Sequence, residues 1–311
     1  MNILKRLWIV YRLRRRFYRW DAATLARHQA ERLDRILSYA RAHSPYYRRV
    51  LPAHNELAAV PKIDKAEMMA RFDEINTAGL RKEALIDFGM EQEREGKMGL
   101  YRDEFSVGRS SGTSGSRGLT VLSKEERERY GCLLWARSGL PRQIGRYWIL
   151  FALRTNNPSF MEPRSFGVKL VYVDYTHPPE ELVSLINEQA LNILAGPPSL
   201  LSLIARHRQE IVHSIDALVS YAEVLDDATR ADLERAFGAP VVQIYQGAEG
   251  FIGSTCKRGK LHLNEDTVLV ELEDVGDGAG PAKKVIVTDL YRTTQPIIRY
   301  ALHDVLEIDP E

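Results

Sequence analysis

The chain has 311 residues, and its 43 lysines and arginines against 42 aspartates and glutamates leave a formal net charge of +1. That balance excludes bulk electrostatic attraction to nucleic acid, while 44% hydrophobic and 27% charged residues are ordinary for a globular chain that can bury a large core. Two cysteines far apart in sequence exclude a disulfide framework and fit a reducing cytoplasm.

In chain order, the first twenty residues depart from this neutrality. Lys5, Arg6, Arg12, Arg14, Arg15, Arg16 and Arg19 interleave with Ile3, Leu4, Leu7, Trp8, Ile9, Val10, Leu13, Phe17, Tyr18 and Trp20, with no acid before Asp21. The apolar run is too short and too interrupted to span a bilayer or to serve as a secretory signal. Two readings stay open. One is a basic amphipathic helix on an anionic membrane surface, which would make a cytoplasmic chain membrane-associated. The other, preferred, is a helix packed on the body with its basic residues outward. Segments 89–101 and 275–284 read as low-order, the first of them leading directly into the most unusual stretch of the chain.

That stretch is Arg109-Ser110-Ser111-Gly112-Thr113-Ser114-Gly115-Ser116-Arg117-Gly118, with three glycines, five hydroxyls, two arginines and no apolar side chain. Glycines let backbone N–H groups turn inward without a steric penalty, hydroxyls add donors and arginines add charge, which suits a polyphosphate. The spacing is not that of the two commonest phosphate loops. A Walker loop ends in Gly-Lys-Ser/Thr, whereas Gly115 is followed by Ser116-Arg117, and the glycines run Gly-x-x-Gly-x-x-Gly instead of Gly-x-Gly-x-x-Gly. A flexible serine- and glycine-rich linker is the competing reading of the segment by itself.

Downstream, the hydrophobic pattern predicts strand 168–174, helix 179–190, strand 191–195, helix 199–209, strand 217–221, helix 228–237 and strand 241–245. Alternation of this length implies a doubly wound parallel sheet with ligands off the carboxyl ends of its strands. Three unusual segments occupy those ends: Ala195-Gly196-Pro197-Pro198-Ser199, Ser220-Tyr221-Ala222-Glu223 and Tyr245-Gln246-Gly247-Ala248-Glu249-Gly250. Cys256 and His262 are two ligand types only, too few for a structural metal site.

These segments carry a resemblance. Ser110 to Gly115 resembles the Ser-Ser-Gly-Thr-Thr-Gly-x-Pro-Lys-Gly loop of the adenylate-forming superfamily, which includes acyl-CoA synthetases and luciferases. The later segments are similar to that family's motifs in the same order. Tyr245-Gln246-Gly247-Ala248-Glu249 resembles its Tyr-Gly-x-Thr-Glu, and Gln295-Pro296-Ile297-Ile298-Arg299-Tyr300-Ala301-Leu302-His303-Asp304 resembles Pro-x-Ile-Arg-Tyr-Arg-Thr-Gly-Asp. Ser44-Pro45-Tyr46-Tyr47-Arg48, Val60-Pro61-Lys62-Ile63-Asp64-Lys65 and the stretch from Cys256 to Asp266 look like the branch of phenylacetate-CoA ligases and coenzyme F390 synthetases.

The resemblance implies a large α/β domain of largely parallel sheets, with a helical N-terminus and an antiparallel segment near the C-terminus. It implies ATP-dependent activation of an aryl or fatty carboxylic acid, with ATP and Mg2+ and with coenzyme A as a possible acceptor. Ser110, Ser111, Gly112, Thr113, Ser114 and Gly115 would hold the phosphates, with Thr113, Arg117 and Glu249 catalytic and Glu249 on magnesium. Arg117 falls near the family's Pro-Lys, in a loop one residue shorter. Ala222 and Glu223 would line the adenine, Tyr245, Gln246 and Gly247 would lie by the adenine and acyl groups, and Asp304 would take the ribose hydroxyls. Glu223 taken by itself reads as a carboxylate leading a helix. Gln246, Ala248 and Leu302-His303 depart from the family's letters, which keeps a degenerate nucleotide-binding or scaffold protein as the alternative. Residues 1–104 would form the helical region and the start of the large domain, and 105–311 its nucleotide- and acid-binding part. A homodimer is one expected assembly. Only seven residues follow Asp304, so the family's small C-terminal lid is expected to be absent, with either a truncated chain or another polypeptide that supplies the lid as the two readings.

Overall fold

The computed structural model describes residues 2–54, 56–95, 99–109, 118–140, 147–153, 168–174, 177–256, 258–276 and 280–308. The sequence-assigned loop residues Ser110, Ser111, Gly112, Thr113, Ser114, Gly115 and Arg117 lie outside them. The chain divides into two compact units. The first comprises Met1–Cys132, Ala248–Gly250 and Leu263–Glu311; the second comprises Leu133–Gly247 and Phe251–His262. In chain order the elements begin with α1 (Ile3–Arg19), α2 (Ala22–His43), α3 (Pro45–Val50), α4 (Lys65–Ala70), α5 (Phe72–Ile75), α6 (Lys82–Glu95), β1 (Phe105–Arg109), β2 (Leu119–Ser123) and α7 (Lys124–Arg137). They continue with β3 (Tyr147–Leu153), β4 (Val168–Asp174), α8 (Pro179–Gln189), β5 (Ile193–Gly196), α9 (Pro198–Arg206), β6 (Ala217–Ser220), α10 (Asp227–Phe237), β7 (Val241–Gly247), β8 (Gly250–Thr255), β9 (Leu261–Leu263), β10 (Val268–Asp274), β11 (Ala282–Asp289) and β12 (Tyr300–Glu307).

In the first unit, short polar residues start the helices. Asn2 accepts from the Lys5 N–H, Asp21 from Thr24, Ser44 from Tyr47 and Asp64 from Glu67, each satisfying one of the donors that a helix start leaves without an intrahelical partner. The packing of α1 departs from the preferred sequence reading at two positions, while Lys5, Arg12, Arg15 and Arg19 stay outward. Its inward face carries the buried Leu13 together with two cations, Arg6 bonded to Glu128 at 3.1 Å and Arg16 3.1 Å from the Tyr291 hydroxyl. Glu128 for Arg6, and Tyr291 with Asp266 for Arg16, draw these arginines inward, which no local pattern shows. Segment 89–101 is helical as far as Glu95 rather than low-order. Leu85 joins Phe72, Leu80, Phe105, Val107, Leu119 and Val121 in one buried cluster, and tertiary burial of this face outweighs the segment's polar composition. Gly89 sits inside α6 because the Arg109 side chain crosses it, its Cδ only 2.9 Å from where a Cβ would stand.

Strands β1 and β2 pair antiparallel from Phe105↔Ser123 to Arg109↔Leu119, so residues 110–118 connect the two strands of one hairpin. Near the C-terminus, β10, β11 and β12 form an antiparallel sheet, as expected.

The second unit holds a seven-stranded sheet in the order β4-β3-β5-β6-β7-β8-β9, of which β4, β3, β5, β6 and β7 are mutually parallel. The alternation read from the sequence is borne out: β4 matches 168–174, and the remaining strands and helices agree to within a few residues. The sheet also contains β3, which the alternation starting at residue 168 does not reach. Leu150, Leu182, Ile186, Leu194, Leu201 and Leu218 interlock in its core. Gly238, at φ +63°, and Ala190, at φ 50°, close α10 and α8 in the left-handed conformation that ends many helices. At Gly253 a Cβ would stand 2.9 Å from the His262 carbonyl oxygen, a backbone atom that cannot swing aside. Gly253→Ala should therefore cost about 1–3 kcal/mol, read as a lower urea midpoint at unchanged m-value. An unshifted midpoint would mean that β8 and β9 part easily.

Candidate active site

The strand order of the second unit reverses between β3 and β5. In open parallel sheets, ligands settle in the crevice outside the carboxyl ends at such a reversal. Tyr221, which follows β6, fills the floor of that position. Its ring is 3% exposed, and its hydroxyl stands 2.7 Å from the Ala152 carbonyl of β3 and 3.0 Å from the Ala195 carbonyl of β5. Burial pushes the Tyr221 phenol well above its usual range, so it acts as a neutral donor tying the two strands. Ala222 follows in the left-handed region at φ 68°, reversing the chain so that Glu223 faces α9. The Glu223 carboxylate accepts from the Ser199 N–H at 3.2 Å and the Ser199 hydroxyl at 2.9 Å. It thereby caps a helix whose preceding residue, Pro197, has no side-chain acceptor. Tyr245, Gln246 and Gly247 end β7, next to β6 in the sheet. The first two unusual sequence segments and the start of the third, Tyr245-Gln246-Gly247, thus share one edge.

The first unit holds a pocket of about 160 Å³ lined by Lys65, Gly118, Thr120, Glu249, Gln295 and Tyr300, among others. That is less than the roughly 300–1,000 Å³ of a site enclosing a whole drug-sized ligand, and it suits one charged group such as a phosphate or a carboxylate. Four separate segments build it. Gly118 is the exit of the 110–118 connection, held in place because Gln295 accepts from the Val121 N–H at 2.9 Å and donates to the Leu119 carbonyl at 3.1 Å. Glu249 comes from the Ala248-Glu249 turn between β7 and β8. Tyr300 opens β12, and its hydroxyl bonds to the Glu249 side chain; burial and the neighbouring carboxylate raise the Tyr300 phenol strongly, so it remains protonated. Lys65 arrives because Ile63 forms a parallel bridge to Tyr300, the Ile63 N–H donating to Arg299 O at 3.1 Å and the Ala301 N–H to Ile63 O at 2.8 Å. Asp64 then starts α4 with Lys65 at its first position.

A buried charged network supports this pocket. The Arg292 guanidinium, 4% exposed, donates to the Ala248 carbonyl at 2.6 Å and to Gln295 Oε1 at 2.5 Å. Burial lowers its pKa, and the charges of Glu126, Asp289 and Glu249 oppose that fall. Burial alone would raise Glu126, but N–H donors from Thr294, Ser123 and Thr293 hold it below the usual carboxylate range. Asp289 is raised by burial despite accepting from the Tyr291 and Arg292 N–H groups. Arg292 thus fixes the carbonyl next to Glu249, while Glu126 fixes the loop leading to Gln295. Asp304 lies apart from the pocket-lining residues, on β12. There Lys284 faces Val305 and Ile286 faces Ala301, so Leu302, His303 and Asp304 stand opposite Val285 alone. Leu302 and His303, which depart from the family's letters, thus form a β-bulge with Asp304, a device that re-aims a strand side chain, and Asp304 is exposed.

No protein-family model matches the chain. Protein CapK of Staphylococcus aureus is 25% identical over 304 residues, covering 91% of this chain and 63% of that protein. Among solved structures, 2-hydroxyisobutyryl-CoA ligase with 2-HIB-AMP and CoA in the thioesterification state matches with TM-score 0.67 at 17% identity, over 93% of this chain and 65% of its own. The open conformation of that ligase matches with TM-score 0.65 at 16% identity, over 89% and 64%. The fold is that of the large domain of adenylate-forming ligases. The chain spans slightly less than two thirds of the length of these proteins.

Within this adenylate-forming fold, the residues read from sequence fall into three places. Gly118, adjoining the assigned loop, and Glu249 meet in the first unit's pocket; Ala222, Glu223, Tyr245, Gln246 and Gly247 lie at the carboxyl edge of the second unit's sheet; Asp304 stands on β12. Lys65, Gln295 and Tyr300 are among the pocket residues that carry no assignment from sequence reasoning. The signal for them was present, since Ile63-Asp64-Lys65 and Ile298-Arg299-Tyr300 each belong to a family-like segment, but nothing local shows that the two segments bond to one another. Among the described residues no cluster of three or more His, Cys, Asp or Glu side chains could hold a metal ion.

Proposed function

We propose that the chain activates a carboxylic acid, aryl or fatty, by adenylation with ATP, and that the thiol of coenzyme A then attacks the acyl carbon, losing its proton as AMP leaves. The observation that carries this reading is the convergence of Gly118, Lys65, Thr120 and Glu249 on one pocket, Gly118 being the residue that ends the hydroxyl-rich segment in the sequence. The fold and the names of the matched ligases support the reaction class; the motif letters favour the phenylacetate-CoA ligase branch. In the proposed step a carboxylate oxygen of the acid attacks the α-phosphorus of ATP. The new P–O bond forms as the bond to the β-phosphate oxygen breaks, and pyrophosphate leaves with its electron pair.

Negative charge grows on the phosphoryl oxygens and the leaving group, so fixed donors and cations facing them lower the barrier. Ser110 to Gly115 would supply N–H and hydroxyl donors, and Lys65 and Arg117 positive charge. Glu249 fits a magnesium site, because that ion typically takes one or two carboxylates and completes its shell with phosphate oxygens and water. When bound, Mg2+ would neutralise part of the phosphate charge. Tyr300, kept protonated, orients the Glu249 carboxylate. Ala222, Tyr245, Gln246 and Gly247 are assigned to the adenine and Asp304 to the ribose. Glu223 is assigned to holding α9 in place and, through the loop it shares with Ala222, to the same edge.

The test is pyrophosphate exchange into ATP, screened over aryl and fatty acids. An acid-dependent exchange supports the reading; ATP binding without exchange for any acid would leave the degenerate nucleotide-binding protein instead. Lys65→Met should lower exchange by about 10²-fold, of the size seen when one preorganised donor is lost, with Lys65→Arg retaining part of the rate. Full activity in Lys65→Met would remove that residue from the site.

A further inference from the structure

We propose that the outward face of α1 docks on an anionic lipid bilayer. At 3.6 residues per turn, Ile3, Leu4, Leu7, Trp8 and Tyr11 share one stripe, and they are 58%, 73%, 59%, 55% and 61% exposed. Exposed large apolar residues occurring singly need no explanation; a contiguous stripe does. The opposite face is already used, through Leu13 and the inward arginines Arg6 and Arg16 bonded to Glu128 and Tyr291. The helix thus packs with part of its charge inside and a stripe of its apolar residues outside, which a helix serving only the core would not do.

Charge selects the occupant. Lys5, Arg12, Arg15 and Arg19 are exposed along α1, and no acid occurs among the first twenty residues. Arg12 lies over the Trp8 ring, 4.4 Å from its centroid, so the cation sits next to the apolar stripe. A second copy of this face would bring like charges together, which opposes association. A bilayer surface rich in anionic headgroups attracts the cations and buries the stripe at once, and Trp and Tyr rings favour the headgroup level. Among the described residues no helix is long and apolar enough to cross a membrane, so α1 would lie in the surface plane. Such docking would hold the chain where acids that partition into membranes are concentrated.

The experiment is co-sedimentation of the full chain with phosphatidylglycerol-containing vesicles and with vesicles of phosphatidylcholine alone. Binding should be strong to the anionic vesicles and at least ten-fold weaker to the neutral ones, and it should weaken with added salt. Leu4→Glu/Leu7→Glu should lower binding at least ten-fold without shifting thermal unfolding, because both side chains already face solvent. Brominated lipid should quench the fluorescence of the parent chain, and Trp8→Phe should remove most of that quenching. Absent binding, equal binding to both vesicle types, or quenching that survives Trp8→Phe would overturn the proposal. So would a parent dimer in sedimentation that Leu4→Glu/Leu7→Glu dissolves, since a second copy would then own the face. No substrate enters the assay, so its outcome is independent of the proposed reaction.

Discussion

Replacing Arg292 with methionine should destabilise the first unit by about 3–5 kcal/mol, the typical cost of removing one partner from a buried ionic network. The guanidinium holds the carbonyl of Ala248 and the Gln295 side chain directly, and its charge faces Glu126, Asp289 and Glu249. Methionine fills similar volume but leaves these carboxylates without the cation, and leaves the Ala248 carbonyl without its donor. The check is urea unfolding, read together with the double variant Arg292→Met/Glu126→Gln. Neutralising Glu126 should recover part of the loss if uncompensated charge is the cause, whereas a simple packing defect would be unaffected or worsened. Arg292→Lys should fall between the parent and Arg292→Met, because an ammonium keeps the charge and loses the planar fork. A loss below about 1 kcal/mol in Arg292→Met would show that water or neighbouring groups replace the guanidinium, and that the turn presenting Glu249 is held by other contacts.

Glu249→Gln should lower acid-dependent pyrophosphate exchange by about 10²–10³-fold, equivalent to about 2.7–4 kcal/mol of transition-state stabilisation. The substitution is nearly isosteric, and the glutamine oxygen can still accept from Tyr300, so unfolding should move by less than about 1 kcal/mol. The effect should fall on turnover more than on ATP affinity, because a carboxylate that holds magnesium acts on charge developing during the reaction. Raising magnesium should recover part of the rate if the loss is one of metal affinity. Exchange within three-fold of the parent at all magnesium concentrations would place the metal, if one is used, on other groups. The same substitution leaves α1 unchanged, so membrane docking and the reaction can be separated.

What the sequence by itself determined is the part of the molecule governed by local patterning. Apolar residues at helical and strand spacing specified the alternation from β4 to β7, and Asp226 and Gly238 mark the two ends of α10 through capping chemistry that acts within a few residues. Polar and glycine-rich segments at strand ends pointed to the carboxyl edge of the sheet, because side chains that do not fit a strand or a helix core collect where ligands bind. Only the tertiary structure decided the rest. Lys65 became a pocket residue because a hydrogen-bonded bridge joins Ile63 to Tyr300, and no property of either segment encodes the other's position. Glu223 capped α9 because left-handed Ala222 turned it there, a conformation that an alanine seldom adopts without tertiary support. The polarity of α1 was likewise settled by distant partners: Glu128 and Tyr291 draw Arg6 and Arg16 inward, and a helix has only so much circumference, so the apolar stripe was left facing out.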